Sequence, residues 1–237
     1  MNHKRKFCRC NGGETVVQWF YGNTQGNYRQ KQKTRNGIYN TENEWGLPPE
    51  IIISHTFFTR RTKDFYDYYK KYMVYPSAVP NAVHIALARL EKEGKIKAVL
   101  TQNIDGLHQA AGSKNVYELH GSVHRNYCTR CGKFYDLDYI LGAKGVPTCE
   151  CGGVIKPDVV LYEEPLDDDV WQGAWEEVRR ADTLIVGGSS LTVYPAAGLV
   201  DMFYGKNLCI INATPTPFDR RATYLSHESL TREFENL

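Results

Sequence analysis

Three short apolar runs, each turning polar within a residue or two, constrain the fold of this chain more than any other feature. They are IKAVL before TQNID (96–105), TLIV before GGSS (183–190) and LCII before NATPT (208–216). Three or four consecutive apolar residues, at 98–100, 184–186 and 208–211, suit a strand buried on both faces, the habit of parallel strands covered by helices. Helical patterns lie between them. VPNAVHIALARLEKEG puts Val83, Leu87 and Leu90 on one stripe, with Asn81 as cap and Gly94 as stop. DDDVWQGAWEEVRRAD opens on three carboxylates, favourable at a helix N-terminus, and carries Trp171, Trp175 and Val178 at helical spacing. A further helix over 196–205 is expected to bridge the last two strands. The alternation predicts an α/β fold with a parallel sheet.

In such sheets ligands lie outside the carboxyl ends of the strands. Gln102, Asn103 and Asp105 follow one such end, Gly188, Ser189 and Ser190 a second, and Asn212 a third. Any one of these clusters is a turn in the first instance, since Asn, Asp and Gly make turns well. All three together imply one shared crevice for a nucleotide. His120, in ELHGSVH with His124, follows a predicted strand at 116–119 and would face that crevice.

Cys128 and Cys131 form C-x2-C, and seventeen residues later Cys149 and Cys151 form C-x-C. Two short loops, each offering a thiolate pair, are what a tetrahedral zinc ion takes. Gly132, Gly152 and Gly153 supply tight backbone for such knuckles. Four thiolates leave no open position, so the expected Zn2+ is structural. Cys8, Cys10 and Cys209 remain, and Cys209 reads as a small buried apolar residue. This usage points to a reducing cytoplasm.

The formal net charge is +2, and no apolar run approaches the ~20 residues that span a bilayer. Neither nucleic acid nor membrane is therefore an expected partner. A zinc-ribbon reading fares no better, because Arg125, Arg130, Lys133, Lys144 and Lys156 are interleaved with carboxylates. The first 37 residues hold eight Lys/Arg and one Glu, which predicts a solvated arm.

TQNIDGLH, ELHGS, the cysteine pairs ending in CGG, IKPDVVLYEE, GGSSLTVYPA and INATPTPFD occur in this order. Together they resemble the sirtuin family of NAD-dependent protein deacylases, over residues 36–237. The resemblance implies an inverted Rossmann-type sheet domain at 36–120 and 159–237, with a helical module at about 40–80. It also implies a zinc-binding insert at 121–158. Gln102, Asn103, Ile104 and Asp105 would line the nicotinamide–ribose pocket, with Asn103 and Asp105 catalytic. Gly188, Ser189, Ser190 and Asn212 would hold the rest of the cofactor, and His120 would be the general base. LYEE (161–164, with Leu161, Tyr162 and Glu163) and LTVY (191–194, with Val193 and Tyr194) would clamp the peptide as a third strand between them, and Val160 and Val193 would wall the acyl-lysine tunnel. The implied reaction is NAD-dependent deacetylation of protein lysine, releasing nicotinamide and O-acetyl-ADP-ribose.

Residues 1–35 depart from the family's pattern. The family opens on a strand running into a glycine-alanine-glycine phosphate turn and a loop with Asp-Phe-Arg. Here Gly22 and Gly26 stand four apart and no Asp-Phe-Arg follows. Codons compatible with NYRQKQ, shifted by one base, spell Ile-Thr-Asp-Arg-Ser, which favours a disrupted reading frame over a diverged loop. The departure predicts weaker NAD binding than in a typical member. It also leaves a second reading open, an impaired relative that keeps zinc and peptide binding.

Overall fold

The computed structural model describes residues 15–19, 43–192, 194–195 and 197–234. The chain enters as strand β1 (Thr15–Trp19), then forms helices α1 (Pro49–Ile52), α2 (His55–Arg60) and α3 (Thr62–Tyr68), the last extended by a π-turn at Tyr69–Met73. Next come α4 (Ala82–Lys92), β2 (Ala98–Thr101), α5 (Leu107–Ala110) and β3 (Val116–Glu118). A small antiparallel sheet follows, of β4 (Gly121–Cys128), β5 (Phe134–Tyr135), helix α6 (Leu137–Gly142) and β6 (Ile155–Val159). The chain closes through α7 (Asp168–Arg180), β7 (Thr183–Gly187), α8 (Gly198–Asp201), β8 (Asn207–Ile211), β9 (Tyr224–Ser226) and α9 (Leu230–Phe234).

Six strands pair in the order β3-β2-β1-β7-β8-β9, all parallel. Numbered among themselves they run 3-2-1-4-5-6, the order of a doubly wound dinucleotide-binding sheet, and the order reverses at β1. Alternate residues of each strand face opposite layers. Val16, Leu100, Leu184, Val186 and Ile210 pack with Ala174 and Val178 of α7. Val17, Val99, Ile185, Cys209 and Ile211 pack with Val83 and Leu87 of α4 and with Leu230 and Phe234 of α9. Trp171 and Trp175 lie half-buried against the first layer, as their spacing predicted.

A third core is shared by two distant parts of the chain. Phe57, Phe58, Phe65, Tyr66 and Tyr69 of the helices after β1 pack with Val123, Tyr135, Leu137, Ile140 and Ile155 of the small sheet. The Tyr66 hydroxyl donates to the Ile155 carbonyl across that contact.

Two expectations need correction. The basic N-terminal segment is not all arm: Val16 and Val17 are fully buried in the central strand. The family resemblance matches Val16–Val17 to its opening strand, but two valines among polar neighbours are too short a local signal for a core strand, and pairing with β2 and β7 defines it. The helix expected over 196–205 is the single turn α8. Phe203 turns into the core, and Gly205 lies where a Cβ would meet the Ala181 carbonyl at 2.3 Å. Residues 20–42, with the unusual glycines, lie outside the described residues, as do Val193, Cys8 and Cys10.

Asn81 caps α4 through a capping box: its Oδ1 accepts from the Val83 and His84 N–H groups. The His84 ring then lies 4.6 Å, centroid to centroid, from that of His108, and both residues are buried. Burial holds both imidazoles below their ordinary range, His108 down to about 3, with His84 adding to the depression. The unfolded chain therefore takes up more protons below pH 6.5, and stability falls as pH drops from 6.5 towards 3. His108 alone contributes up to ~1.4 kcal/mol per pH unit in that window. Urea unfolding at pH 7 and pH 5 is expected to show this loss, and His108→Gln is expected to flatten it. An unchanged pH slope in the variant would place the acid sensitivity elsewhere.

Candidate active site

Because the six strands are parallel, their carboxyl ends share one edge. The register aligns Trp19 with Thr101 and Gly187, Thr101 with Glu118, Gly187 with Ile211, and Ile211 with Ser226. Gln102, Gly188, Asn212 and His227 are thus the next residue out on four strands. Gln102 and Asn212 are separated by three strand spacings, roughly 14 Å. The three polar clusters do converge on one rim, with the end of β1 between the first two.

His120 joins them from the crossing between the two sheets. Burial lowers its pKa, and the Gln102 backbone works against that as the smaller effect. The His120 carbonyl accepts from Val160 N–H at 3.0 Å, which ties it to the end of β6. Gly121 makes the crossing possible: at φ 75° its missing Cβ would stand 1.9 Å from the Asp158 carbonyl oxygen. Arg125 braces the same crossing, with Nη1 on Glu118 at 2.6 Å and Nε on Asp158 at 2.7 Å.

The loop after β2 docks on the small sheet. Val123 N–H donates to the Ile104 carbonyl at 2.9 Å, and His124 Nε2 lies 3.0 Å from the Asp105 carbonyl. His124 is thereby a structural contact. One carboxylate oxygen of Asp105 accepts from Leu107 N–H, starting α5, and Thr101 Oγ1 accepts from Asn103 N–H. The Gln102 side-chain nitrogen is buried with no hydrogen-bond partner among the described residues. An orphaned buried donor costs about 1–3 kcal/mol, so this atom awaits a ligand acceptor.

At the other rim Ser189 is buried and its Oγ accepts from Leu191 N–H, whereas Ser190 is exposed and bonded to Thr192. Asn212 Nδ2 donates to the Thr214 carbonyl, and its own carbonyl accepts from His227 Nδ1 at 2.8 Å. His227 was not foreseen. It follows β9, a three-residue strand with no apolar run to announce it. Val160, Leu161, Tyr162 and Glu163 follow β6 directly, with Tyr162 and Glu163 exposed. Tyr194 is 64 % exposed.

The four cysteine sulfurs all lie within 4.8 Å of one another. The Cys128–Cys151, Cys131–Cys151 and Cys131–Cys149 pairs stand at 3.4, 3.5 and 3.6 Å. A tetrahedron with metal–sulfur bonds near 2.3 Å has edges of about 3.8 Å, so the donor set fits zinc. The Tyr135 hydroxyl holds the Cys149 thiol down to about 6. The neighbouring sulfurs push Cys151 up to about 12, although Gly153 N–H favours its thiolate. Gly153 has no room for a side chain, since a Cβ would lie 2.6 Å from Cys128 Sγ.

A family model described as the Sir2 family matches residues 26–195. The chain belongs to the Sir2 family. The match begins inside the segment where the motifs depart, ten residues before the resemblance resumes at Asn36. Among curated relatives, this Sir2-family chain is 52 % identical over 207 residues to an NAD-dependent protein deacetylase of Clostridium acetobutylicum, covering 86 % of this chain and 84 % of that one. It is 54 % identical over 200 residues to one of Clostridium perfringens, covering 84 % and 82 %. Among solved structures, a Sir2 bound to acetylated peptide superposes with TM-score 0.83 at 35 % identity, covering 99 % of this chain and 96 % of that one. A Sir2–p53 peptide–NAD+ complex gives 0.79 at 37 %, covering 95 % and 92 %.

Proposed function

We propose that this chain is an NAD-dependent protein-lysine deacetylase, releasing nicotinamide and O-acetyl-ADP-ribose. One observation carries the reading: three polar strand ends share one rim of the parallel sheet, and His120 stands at the crossing between the two sheets beside it. The Clostridium relatives named NAD-dependent protein deacetylase support it, as do the Sir2 complexes with acetylated peptide and with NAD+.

NAD, when bound, supplies a ribose carbon from which nicotinamide can leave. Gln102, Asn103, Ile104 and Asp105 hold its nicotinamide end, where the orphaned Gln102 amide gains an acceptor. Gly188, Ser189, Ser190 and Asn212 hold the adenosine half, with Gly188 allowing close backbone approach at φ 65°. His120 offers a ring nitrogen to take a ribose hydroxyl proton. Its lowered pKa keeps the imidazole neutral, and so basic, at physiological pH. Orientation in the cleft supplies the larger share, up to ~7–11 kcal/mol of barrier reduction in favourable cases.

Val160, Leu161, Tyr162 and Glu163, with Val193 and Tyr194, would form the acyl-lysine peptide clamp that the family resemblance implies. Cys128, Cys131, Cys149 and Cys151 hold a structural Zn2+. In domain terms, residues 36–120 and 159–237 form the dinucleotide-binding part, with 121–158 as the zinc insert, and β1 adds 15–19 to the former. Cytoplasmic location fits these cysteines, and no helix among the described residues is long and apolar enough to cross a membrane. The reading as an impaired relative rests on residues 20–35, outside the described residues. The deciding test is conversion of an acetyl-lysine peptide by this chain with and without NAD.

A further inference from the structure

The loop after β6 is tied to the start of α2 by two carboxylates. Tyr162 spends both backbone groups on one edge: its N–H donates to the Ile53 carbonyl, and its carbonyl accepts from His55 N–H, each at 3.0 Å. Glu163 sits at φ 76°, a conformation side chains rarely adopt. Its carboxylate accepts from Thr56 N–H at 2.9 Å and Thr56 Oγ1 at 2.7 Å. The Glu164 carboxylate, 17 % exposed, gathers three donors: Leu161 N–H at 2.9 Å, Lys156 Nζ at 2.9 Å and His55 Nδ1 at 2.8 Å. Lys156 also donates to the Val159 carbonyl, so β6, the loop and α2 meet at one carboxylate.

These bonds define what remains for a ligand. The Leu161 carbonyl accepts from Glu164 N–H, which leaves Leu161 no free backbone group. Of residues 161–163, only Glu163 keeps its N–H and carbonyl without a partner among the described residues. Its side chain is already committed to Thr56, so it offers backbone and not charge.

We infer that Glu164, with His55, Lys156 and Thr56, is a positioning device that presents the Glu163 backbone as an edge for an extended acyl-lysine peptide. The inference rests on the proposed reading of 160–163 as the peptide clamp. Strand addition draws its affinity from main-chain hydrogen bonds, and an unordered edge must be ordered at the moment of binding. A left-handed Glu163 persists only where its surroundings over-determine it, and the two carboxylate anchors do so. Loosening them shifts the ordering cost onto peptide binding and leaves the chemistry at His120 untouched.

The test compares two substrates on the full zinc-loaded chain, an extended acetyl-lysine peptide and a single Nα-capped Nε-acetyl-lysine. Losing a charge-assisted anchor in Glu164→Gln is expected to raise KM for the extended peptide roughly tenfold. KM for the single residue, KM for NAD and kcat should stay unchanged. Thr56→Val, a milder change at the second anchor, should shift the peptide KM in the same direction by less. Equal losses for both substrates, or no change for either, would overturn the inference. A wild-type chain that handles the two substrates equally would instead remove the peptide-clamp reading on which it stands.

Discussion

Stripping zinc from the four-cysteine cluster, by chelation or by Cys149→Ser, is expected to unfold far more than the two knuckles. Cys128 and Cys149 are buried in the same apolar cluster as Phe57, Phe58, Phe65, Tyr66 and Tyr69. Structural zinc contributes an apparent ~10–16 kcal/mol at pH 7, comparable with the whole stability of a domain, ~5–15 kcal/mol. The small sheet has only three strands, one of them two residues long. Without the ion it has little to hold its side of the shared core. Residues 45–74 and 121–161 are expected to lose hydrogen-exchange protection together. The amides of β2, β7 and β8, which sit between two separate apolar layers, should stay protected. Full protection of β4 and β6 after zinc removal would contradict this coupling.

Replacing His120 by Gln is expected to cost the deacetylation step about 10²–10⁴-fold, the usual worth of a positioned general base. Peptide KM should change little, because on the proposed reading residues 160–163 and not the imidazole carry the peptide. The pH profile separates a base from a packing residue. Burial lowers the His120 pKa, so the neutral form persists below pH 6.5. kcat/KM of the wild type should therefore stay flat through pH 6.5 and fall only below it, as the imidazole takes up a proton. That acid limb should be absent in His120→Gln. A variant that keeps both the wild-type rate and the acid limb would show that another group removes the proton.

Much of this arrangement was legible in the residues. Apolar runs that end abruptly in Gln102–Asn103, Gly188–Ser189 and Asn212 report two facts at once, a buried strand and the polar rim at its carboxyl end. Cysteine pairs report a local knuckle, and metal geometry does the rest. Asn81 three residues before His84 was equally readable, because capping is local. What escaped was built from long-range pairing. β1 is a strand because β2 and β7 flank it, and nothing in Thr15–Trp19 alone demands that place. β9 and His227 escaped for the same reason. Glu164 meets His55 across 109 residues of chain, and Glu163 meets Thr56 across 107, contacts with no local signature. Of the expected clamp, Tyr162 proved to be already paired with residues 53–55, which only the packed helices reveal.

The most direct measurement is mass spectrometry of an acetyl-lysine peptide incubated with this chain, with NAD and without it. With NAD, the peptide should lose its acetyl group while nicotinamide and O-acetyl-ADP-ribose accumulate, and without NAD nothing should change. A peptide left acetylated in both arms, or deacetylated equally in both, would contradict the assignment of this rim to NAD-dependent chemistry.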